Sequence, residues 1–194
     1  MAIDEATFGP EHSYVGYDLN ELATILRMRG KPDSATPIFR RVLAMNSKIA
    51  GEGHRNTLAV KVQLGRALRE SGRFTEAADV FREALTHLKP DNPDTDPFTV
   101  GATIGLGRSL VRLGKHDEAV TLLRKALESS VAKFGATNYR TAEAHLGLGE
   151  YFIALRRMAE AQSSLDSARV ILEPQRRAQP VLNSELEREL RRLH

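Results

Sequence analysis

The stretch LGRALRESGRFTEAADVFREAL, residues 64–85, decides the fold of this chain. Its first half has apolar residues at helical spacing and ends at Gly72, and glycine tolerates the left-handed conformation that closes many helices. Its second half is an amphipathic helix pattern, because apolar residues recur at i, i+3, i+4, i+7 and i+8: Ala77, Val80, Phe81, Ala84 and Leu85. The stretch therefore predicts two helices joined by a tight turn.

The same pattern recurs every 42 residues, as Gly30, Gly72 and Gly114 show. Arg156 takes the place of this glycine in the fourth repeat. Three further positions keep the step: Leu22, Leu64, Leu106, Leu148 and Leu190; Ala35, Ala77, Ala119 and Ala161; and Phe39, Phe81, Leu123 and Leu165. One hairpin cannot bury its apolar face alone, so stacked hairpins must create the core.

The period predicts an all-α, right-handed superhelical array of antiparallel helix hairpins. We expect one array over residues 1–194, with repeats at about 12–50, 54–92, 96–134 and 138–174. The first helices are expected near 14–29, 56–71, 98–113 and 139–155, and the second helices near 33–48, 75–88, 117–132 and 159–172. A charged capping helix near 181–193 would present a polar outer face. Small residues after the repeated leucine would let paired helices approach closely: Ala23, Gly65, Gly107 and Gly149.

The pattern Leu64-Gly65-x-x-Leu68, Gly72, Ala77, Phe81, Ala84 resembles a tetratricopeptide repeat (TPR). The period is longer than the usual ~34 residues, and the additional residues fall in the loop between hairpins. A Gly-x-x-His element in that loop, at 9–12 and 51–54, resembles the kinesin light chain subtype. Asp96 and Asn138 stand at the histidine position in the later loops. The resemblance implies a scaffold that binds proteins or peptides.

Composition excludes several classes of protein. The 194 residues include no cysteine, which removes disulfide frameworks, thiolate metal sites and cysteine nucleophiles. No apolar run approaches the ~20 residues of a membrane span, and the N-terminus lacks the pattern of a signal peptide. A net charge of +3 is too mild to indicate nucleic acid. We therefore expect a cytoplasmic protein with no membrane or nucleic-acid partner.

No chemistry-bearing motif emerges from the sequence. The six histidines include no pair at the i, i+4 spacing of a helical metal site. The stretch GATIGLG, residues 101–107, lacks the Gly-Lys-Ser ending of a phosphate-binding loop and lies within an expected helix. We therefore expect no metal, no cofactor and no enzymatic activity.

The repeat register predicts a binding groove, since the first helices of such arrays line the concave side. Residues at i, i+4 and i+7 of each first helix share one face. The candidate peptide-binding residues are Asn20, Arg27, Val62, Arg66, Arg69, Ile104, Arg108, Val111 and Arg112. Clustered arginines favour carboxylates, so the expected ligand is an acidic segment with an apolar anchor. The alternative is that these arginines are solvated or paired with Glu70 and Glu150.

Two other roles stay open at this level. Phe8-Gly9 matches Phe134-Gly135 at three periods, so we expect the chain to start inside a repeat. The alternative is a native short protein with a frayed start. A start inside a repeat favours a C-terminal regulatory or sensor segment of a bacterial signalling enzyme, such as a serine/threonine kinase, or of a transcription regulator. Self-association through an open repeat end is the other alternative.

Overall fold

The computed structural model describes residues 13–87 and 97–193, and these residues form nine α-helices and no strand. The helices are α1 Ser13–Met28, α2 Pro32–Ala50, α3 Arg55–Glu70, α4 Phe74–Thr86, α5 Pro97–Arg112, α6 His116–Phe134, α7 Tyr139–Ala154, α8 Met158–Leu172 and α9 Pro180–Arg191. A short 3-10 turn, Glu173–Gln175, follows α8. The all-α prediction is confirmed, and every predicted helix boundary lies within two residues of the observed one.

The chain divides into two compact units, Met1–Lys89 and Pro90–His194. In the first unit, α1 to α4 pack in chain order as two hairpins. In the second unit, α5 to α8 form two further hairpins, and α9 packs on α8 and α7. The single array over residues 1–194 stays a prediction.

Glycine ends the first helix of three hairpins in a left-handed conformation. Gly30, Gly72 and Gly114 have φ angles of 72°, 77° and 74°. The residue after each glycine donates a backbone hydrogen bond to a carbonyl five residues earlier, as Arg73 N does to Leu68 O at 2.9 Å. Arg156 occupies the same position in the last hairpin with φ 58°. The fourth turn therefore keeps the geometry and replaces the residue that best tolerates it.

In the loops between hairpins, the residue at the histidine position caps the helix that follows. His54 Nδ1 accepts a hydrogen bond from Asn56 N at 3.2 Å, and Asn138 Oδ1 accepts one from Arg140 N at 3.0 Å. Both side chains satisfy a backbone N–H that the first turn of a helix leaves without an internal partner. The two residues are interchangeable because each offers one acceptor at the same distance from the backbone. His12 and Asp96 lie outside the described residues.

The paired helices touch where the first helix carries glycine. A Cβ atom on Gly65 would lie 2.6 Å from the Phe81 ring, and one on Gly149 would lie 2.4 Å from Leu165 Cδ2. At Gly107 the nearest atom, Leu123 Cγ, would be 2.8 Å away. These separations are below van der Waals contact, so only glycine permits this approach. The predicted packing role of these glycines is confirmed.

In the second unit, the core extends from the hairpins to the last helix. Leu182 and Leu186 of α9 join a buried cluster with Leu146, Leu165 and Leu172. The capping helix is therefore held by apolar contacts on its inner side. Among residues 13–87 and 97–193, no helix combines the length and hydropathy that crossing a bilayer requires.

Arg156 provides a test of the turn. A non-glycine residue in the left-handed region costs about 1–2 kcal/mol. Replacing it by glycine removes this cost, but part of the gain is lost because glycine has more conformational freedom in the unfolded chain. Arg156→Gly should therefore raise the free energy of unfolding, by up to about 1 kcal/mol, in urea titrations followed by circular dichroism. Gly114→Arg should lower it. Equal stability of both variants and the parent would show that this turn carries no strain.

Candidate protein-interaction site

The predicted groove residues lie on first helices, as expected, but they fall into two units with different surroundings. Asn20 and Arg27 lie on α1, and Val62, Arg66 and Arg69 lie on α3. The remaining predicted residues lie on α5 in the second unit: Ile104, Arg108, Val111 and Arg112. Each set is therefore described within its own unit.

In the first unit, two arginines converge on one carboxylate oxygen. Arg27 Nη1 of α1 lies 2.7 Å from Glu70 Oε1, and Arg69 Nη2 of α3 lies 3.9 Å from the same atom. The side chains of Arg27 and Arg69 are only 11% and 6% exposed, so water screens this cluster weakly. The contact joins neighbouring first helices through charge.

Other polar atoms beside this cluster are enclosed with incomplete hydrogen bonding. Among the described residues, Asn20 Oδ1 and Arg27 Nε are buried atoms without a hydrogen-bond partner. A buried polar atom left unsatisfied costs about 1–3 kcal/mol. Arg66 is partly exposed, whereas Val62 is buried among the helices. We call the predicted residues Asn20, Arg27, Arg66 and Arg69 the arginine face; Asn20, Arg27 and Arg66 are partly exposed, and Arg69 is buried.

In the second unit, Arg108 is completely buried. Its Nε and Nη2 atoms donate to the two carboxylate oxygens of Glu150 at 2.9 and 2.7 Å, and Nη2 also donates to Glu185 Oε2 of α9 at 3.0 Å. Glu143 Oε1 lies 4.0 Å from Nη1. Burial alone would lower the pKa of Arg108, but Glu150, Glu185 and Glu143 outweigh it and hold that pKa above its usual value. Arg108 therefore acts here as the centre of an internal ion-pair network.

The absence of a side chain at Gly147 leaves room for the Arg108 side chain. A Cβ atom on Gly147 would lie 2.8 Å from Arg108 Cγ and 2.6 Å from Leu123 Cδ2. The missing side chain on α7 lets the guanidinium extend from α5 to Glu185 on α9. Three helices are thus tied together by one residue.

The other predicted residues on α5 divide between core and solvent. Ile104 and Val111 are buried, and Arg112 is exposed. The contacts agree with the alternative in which the arginines are paired with Glu70 and Glu150. Glu70 contacts Arg27 and Arg69, and Glu150 contacts Arg108.

The role of the last helix differs from the expectation of a polar outer cap. Glu185 and Glu189 are buried, and Arg188 and Arg192 contact Glu189 from the exposed side. A signal was present in the sequence: Leu182, Glu185, Leu186 and Glu189 follow at i, i+3, i+4 and i+7. This spacing places both glutamates on the apolar stripe.

One group in the described part of the chain has the composition of a metal site. Ligand atoms of Glu52, Glu83 and His87 lie within 4.8 Å of one another on the surface. Lys61 Nζ, however, lies 2.5 Å from Glu52 and 2.7 Å from Glu83. Burial lowers the pKa of Lys61, but the hydrogen bonds that its ammonium group donates to the two glutamates outweigh it and raise that pKa. The ammonium group already supplies the positive charge that these carboxylates attract.

The Arg108 network predicts a large effect on stability. Arg108→Met should lower the free energy of unfolding by about 3–5 kcal/mol, because it leaves buried carboxylates without a counter-charge. Urea titration of the variant measures this loss. The control is Arg124→Met on an exposed position of α6, which should change stability by less than about 0.5 kcal/mol. Similar losses at both positions would contradict the network.

Glu185→Gln tests the connection to α9. It should speed amide hydrogen exchange in α9 more than in α5 or α6, because the charged contact to Arg108 is lost. Gly147→Ala should have the same local effect, since its Cβ displaces the Arg108 side chain. Uniform exchange rates across the second unit would mean that Glu185 does not hold the helix.

Comparison with solved structures identifies the fold. A protein of Podosopora anserina, described as a kinesin light chain with nearly identical TPR-like repeats, is 23% identical, and the match covers 92% of this chain and 83% of that chain with a TM-score of 0.65. A variant of the same protein matches with a TM-score of 0.67. BtubC (BKLC) from P. vanneervenii is 18% identical over 90% of this chain and 68% of that chain, with a TM-score of 0.66. The resemblance to kinesin light chain-like repeats is confirmed for the fold.

The sequence itself gives the family. No curated protein matches the chain significantly. The family model described as tetratricopeptide repeat matches residues 18–89 and 99–173, which is more than half of the chain. The matched ranges cover three of the repeated turns at Gly30, Gly72 and Gly114, and the fourth at Arg156. The chain belongs to the tetratricopeptide repeat family.

Proposed function

We propose that this chain binds an acidic segment of a partner protein at the arginine face of its first unit. Tetratricopeptide repeats form scaffolds for protein–protein interaction, because stacked hairpins create extended binding surfaces. The fold is typical of proteins without catalytic activity. The arginine face adds an expectation about the chemistry of the ligand.

The observation that carries the proposal is the convergence of Arg27 and Arg69 on one oxygen of Glu70. Two guanidinium groups supply more donors than one carboxylate can accept. Arg66 adds a third guanidinium group on the same helix as Arg69. Three guanidinium groups in one face favour a ligand with several carboxylates.

Arginine is well suited to such a ligand. Its planar guanidinium binds carboxylates through two parallel hydrogen bonds and stays charged at every physiological pH. Glu70 occupies part of this binding capacity from within the chain. A carboxylate of the partner would contact Arg66 first, since Arg66 is the more exposed of the two α3 arginines, and would compete with Glu70 for Arg27 and Arg69.

The predicted apolar anchor has less support in the first unit. Val62 is buried, so it cannot contact a ligand without rearrangement of the helices. Charge then dominates the interaction, and added salt should weaken it strongly, because partly exposed charges are screened within about 8–10 Å.

An acidic peptide selected from a random display library on the whole chain would test this function. Its affinity, measured by titration calorimetry, should fall at least tenfold in Arg66→Glu, where an attractive contact becomes a repulsive one. It should also fall as salt concentration rises. Glu70→Gln should strengthen binding, because the internal competitor for Arg27 and Arg69 is lost.

Arg82→Glu on α4 is the matched control, since Arg82 is also partly exposed but lies on a second helix. Thermal unfolding of each variant confirms that its fold is retained. Equal losses in Arg66→Glu and Arg82→Glu, or selected peptides without acidic residues, would rule out the arginine face as the binding site.

A further inference from the structure

The last helix of the second unit exposes arginines although the sequence around it is nearly balanced in charge. Residues 173–193 contain five arginines and four glutamates. Two of the glutamates, Glu185 and Glu189, are buried on the inner side of α9, and Glu185 contacts Arg108 there. The arginines of the helix are exposed. Folding therefore separates the two signs and leaves α9 with a basic outer side.

Four arginines form this surface, which we call the α9 basic face: Arg176, Arg188, Arg191 and Arg192. The last three follow one another at i, i+3 and i+4, a spacing that places them on one side of a helix, and all three are exposed. Arg176 precedes the helix, and its Nη2 atom lies 3.5 Å from Oε1 of Glu187 in α9. That contact holds Arg176 beside the helix.

Contacts within the chain position these arginines without using all of their hydrogen-bond donors. Buried Glu189 accepts one hydrogen bond from Arg188 Nε at 3.1 Å and one from Arg192 Nη1 at 2.5 Å. The side chains of Arg188 and Arg192 are still 53% and 46% exposed. Arg191 makes no ion pair with any of the described residues. A guanidinium group carries five N–H donors, so most donors of the face stay available to a ligand.

The side of α9 that carries Arg191 is the side on which earlier first helices receive their hairpin partner. Arg191 lies one, two and three repeat steps from Gly149, Gly107 and Gly65. At each of these glycines the second helix of the hairpin inserts a large side chain, which even an added Cβ atom would overlap. An arginine at this position excludes such a close approach. The α9 basic face is therefore not the packing surface of a further hairpin of the same kind.

We propose that the α9 basic face binds an acidic segment of a partner protein. Arginine binds carboxylates through paired hydrogen bonds, and four arginines along one helix match a segment with several aspartates or glutamates. The proposal adds a second binding surface, in the second unit, to the function proposed above. It does not depend on the arginine face of the first unit.

Other anionic partners match this face less well. The large apolar side chains of α9 are not exposed, whereas helices that bind membrane surfaces insert an apolar face. The helix contains no aromatic residue on which the bases of a single strand could stack. Duplex nucleic acid is bound through many phosphate contacts, and two of the four arginines here already contact Glu189. A short segment with several carboxylates is therefore the better match.

A fluorescein-labelled octaglutamate peptide tests this face on the whole chain with Arg66→Glu, which removes the arginine face from the measurement. In fluorescence anisotropy, adding Arg191→Glu should weaken binding at least about tenfold, because an attractive contact becomes a repulsive one. Adding Arg191→Gln should weaken binding less, since only the attraction is lost. Adding Glu187→Gln should strengthen binding, because the carboxylate that competes for Arg176 is removed.

Arg169→Glu on α8 is the matched control, since Arg169 is an exposed arginine of the same unit on a different helix. It should leave the affinity of the Arg66→Glu chain unchanged, and thermal unfolding of each variant confirms that its fold is retained. Absence of octaglutamate binding to the Arg66→Glu chain would overturn this proposal alone, because the arginine face is tested by Arg66→Glu against the parent.

Equal losses in Arg191→Glu and Arg169→Glu would also overturn the α9 basic face as a binding site. Duplex DNA of 20 base pairs and phosphatidylserine vesicles are measured in the same assay. Tighter binding of either one than of octaglutamate, lost in Arg191→Glu, would overturn the acidic protein segment in favour of nucleic acid or a membrane surface.

Discussion

The close contact of two helices at a glycine is the constraint on which the hairpins depend. A Cβ atom on Gly65 or Gly149 would overlap the Phe81 ring or Leu165, so in these hairpins the first helix must carry glycine where the second helix inserts a large core residue. In the first hairpin the small residue Ala23 holds the equivalent position. The contact fixes both the distance between the helices and their register. Every charged or apolar side chain outside the core is then presented at a position set by this contact, and so are the faces on which function depends.

This constraint explains why the fold could be predicted so closely from the sequence. The turn glycines and the Leu-Gly and Phe positions recur at one period, and each has a local physical reason that tertiary packing does not override. The helix cap at His54 and Asn138 is equally local, but two different residue types supply it, so sequence similarity alone does not show the equivalence. The left-handed turn at Arg156 shows the reverse case, in which the geometry persists although the residue changes.

The candidate site was harder to predict, because exposure depends on which element packs next. Register analysis placed Arg66 and Arg108 at equivalent positions, yet Arg66 is partly exposed and Arg108 is completely buried. The difference arises from Gly147, which leaves room for the Arg108 side chain, and from Glu185, which accepts a hydrogen bond from its guanidinium group. Neither residue is near Arg108 in the sequence. A pattern of one helix therefore predicts the direction of a side chain but not its surroundings.

Charge on the first helices serves two purposes that compete. Arg27 with Glu70, and Arg108 with Glu150, are pairs separated by about one repeat, so each joins neighbouring first helices. An arginine that is buried in such a pair is out of reach of a ligand, as Arg108 shows. Binding specificity must therefore arise where the pairs leave an excess of one sign. We propose the arginine face of the first unit as such a position. The register that stacks the repeats thus also determines where charge remains for a partner.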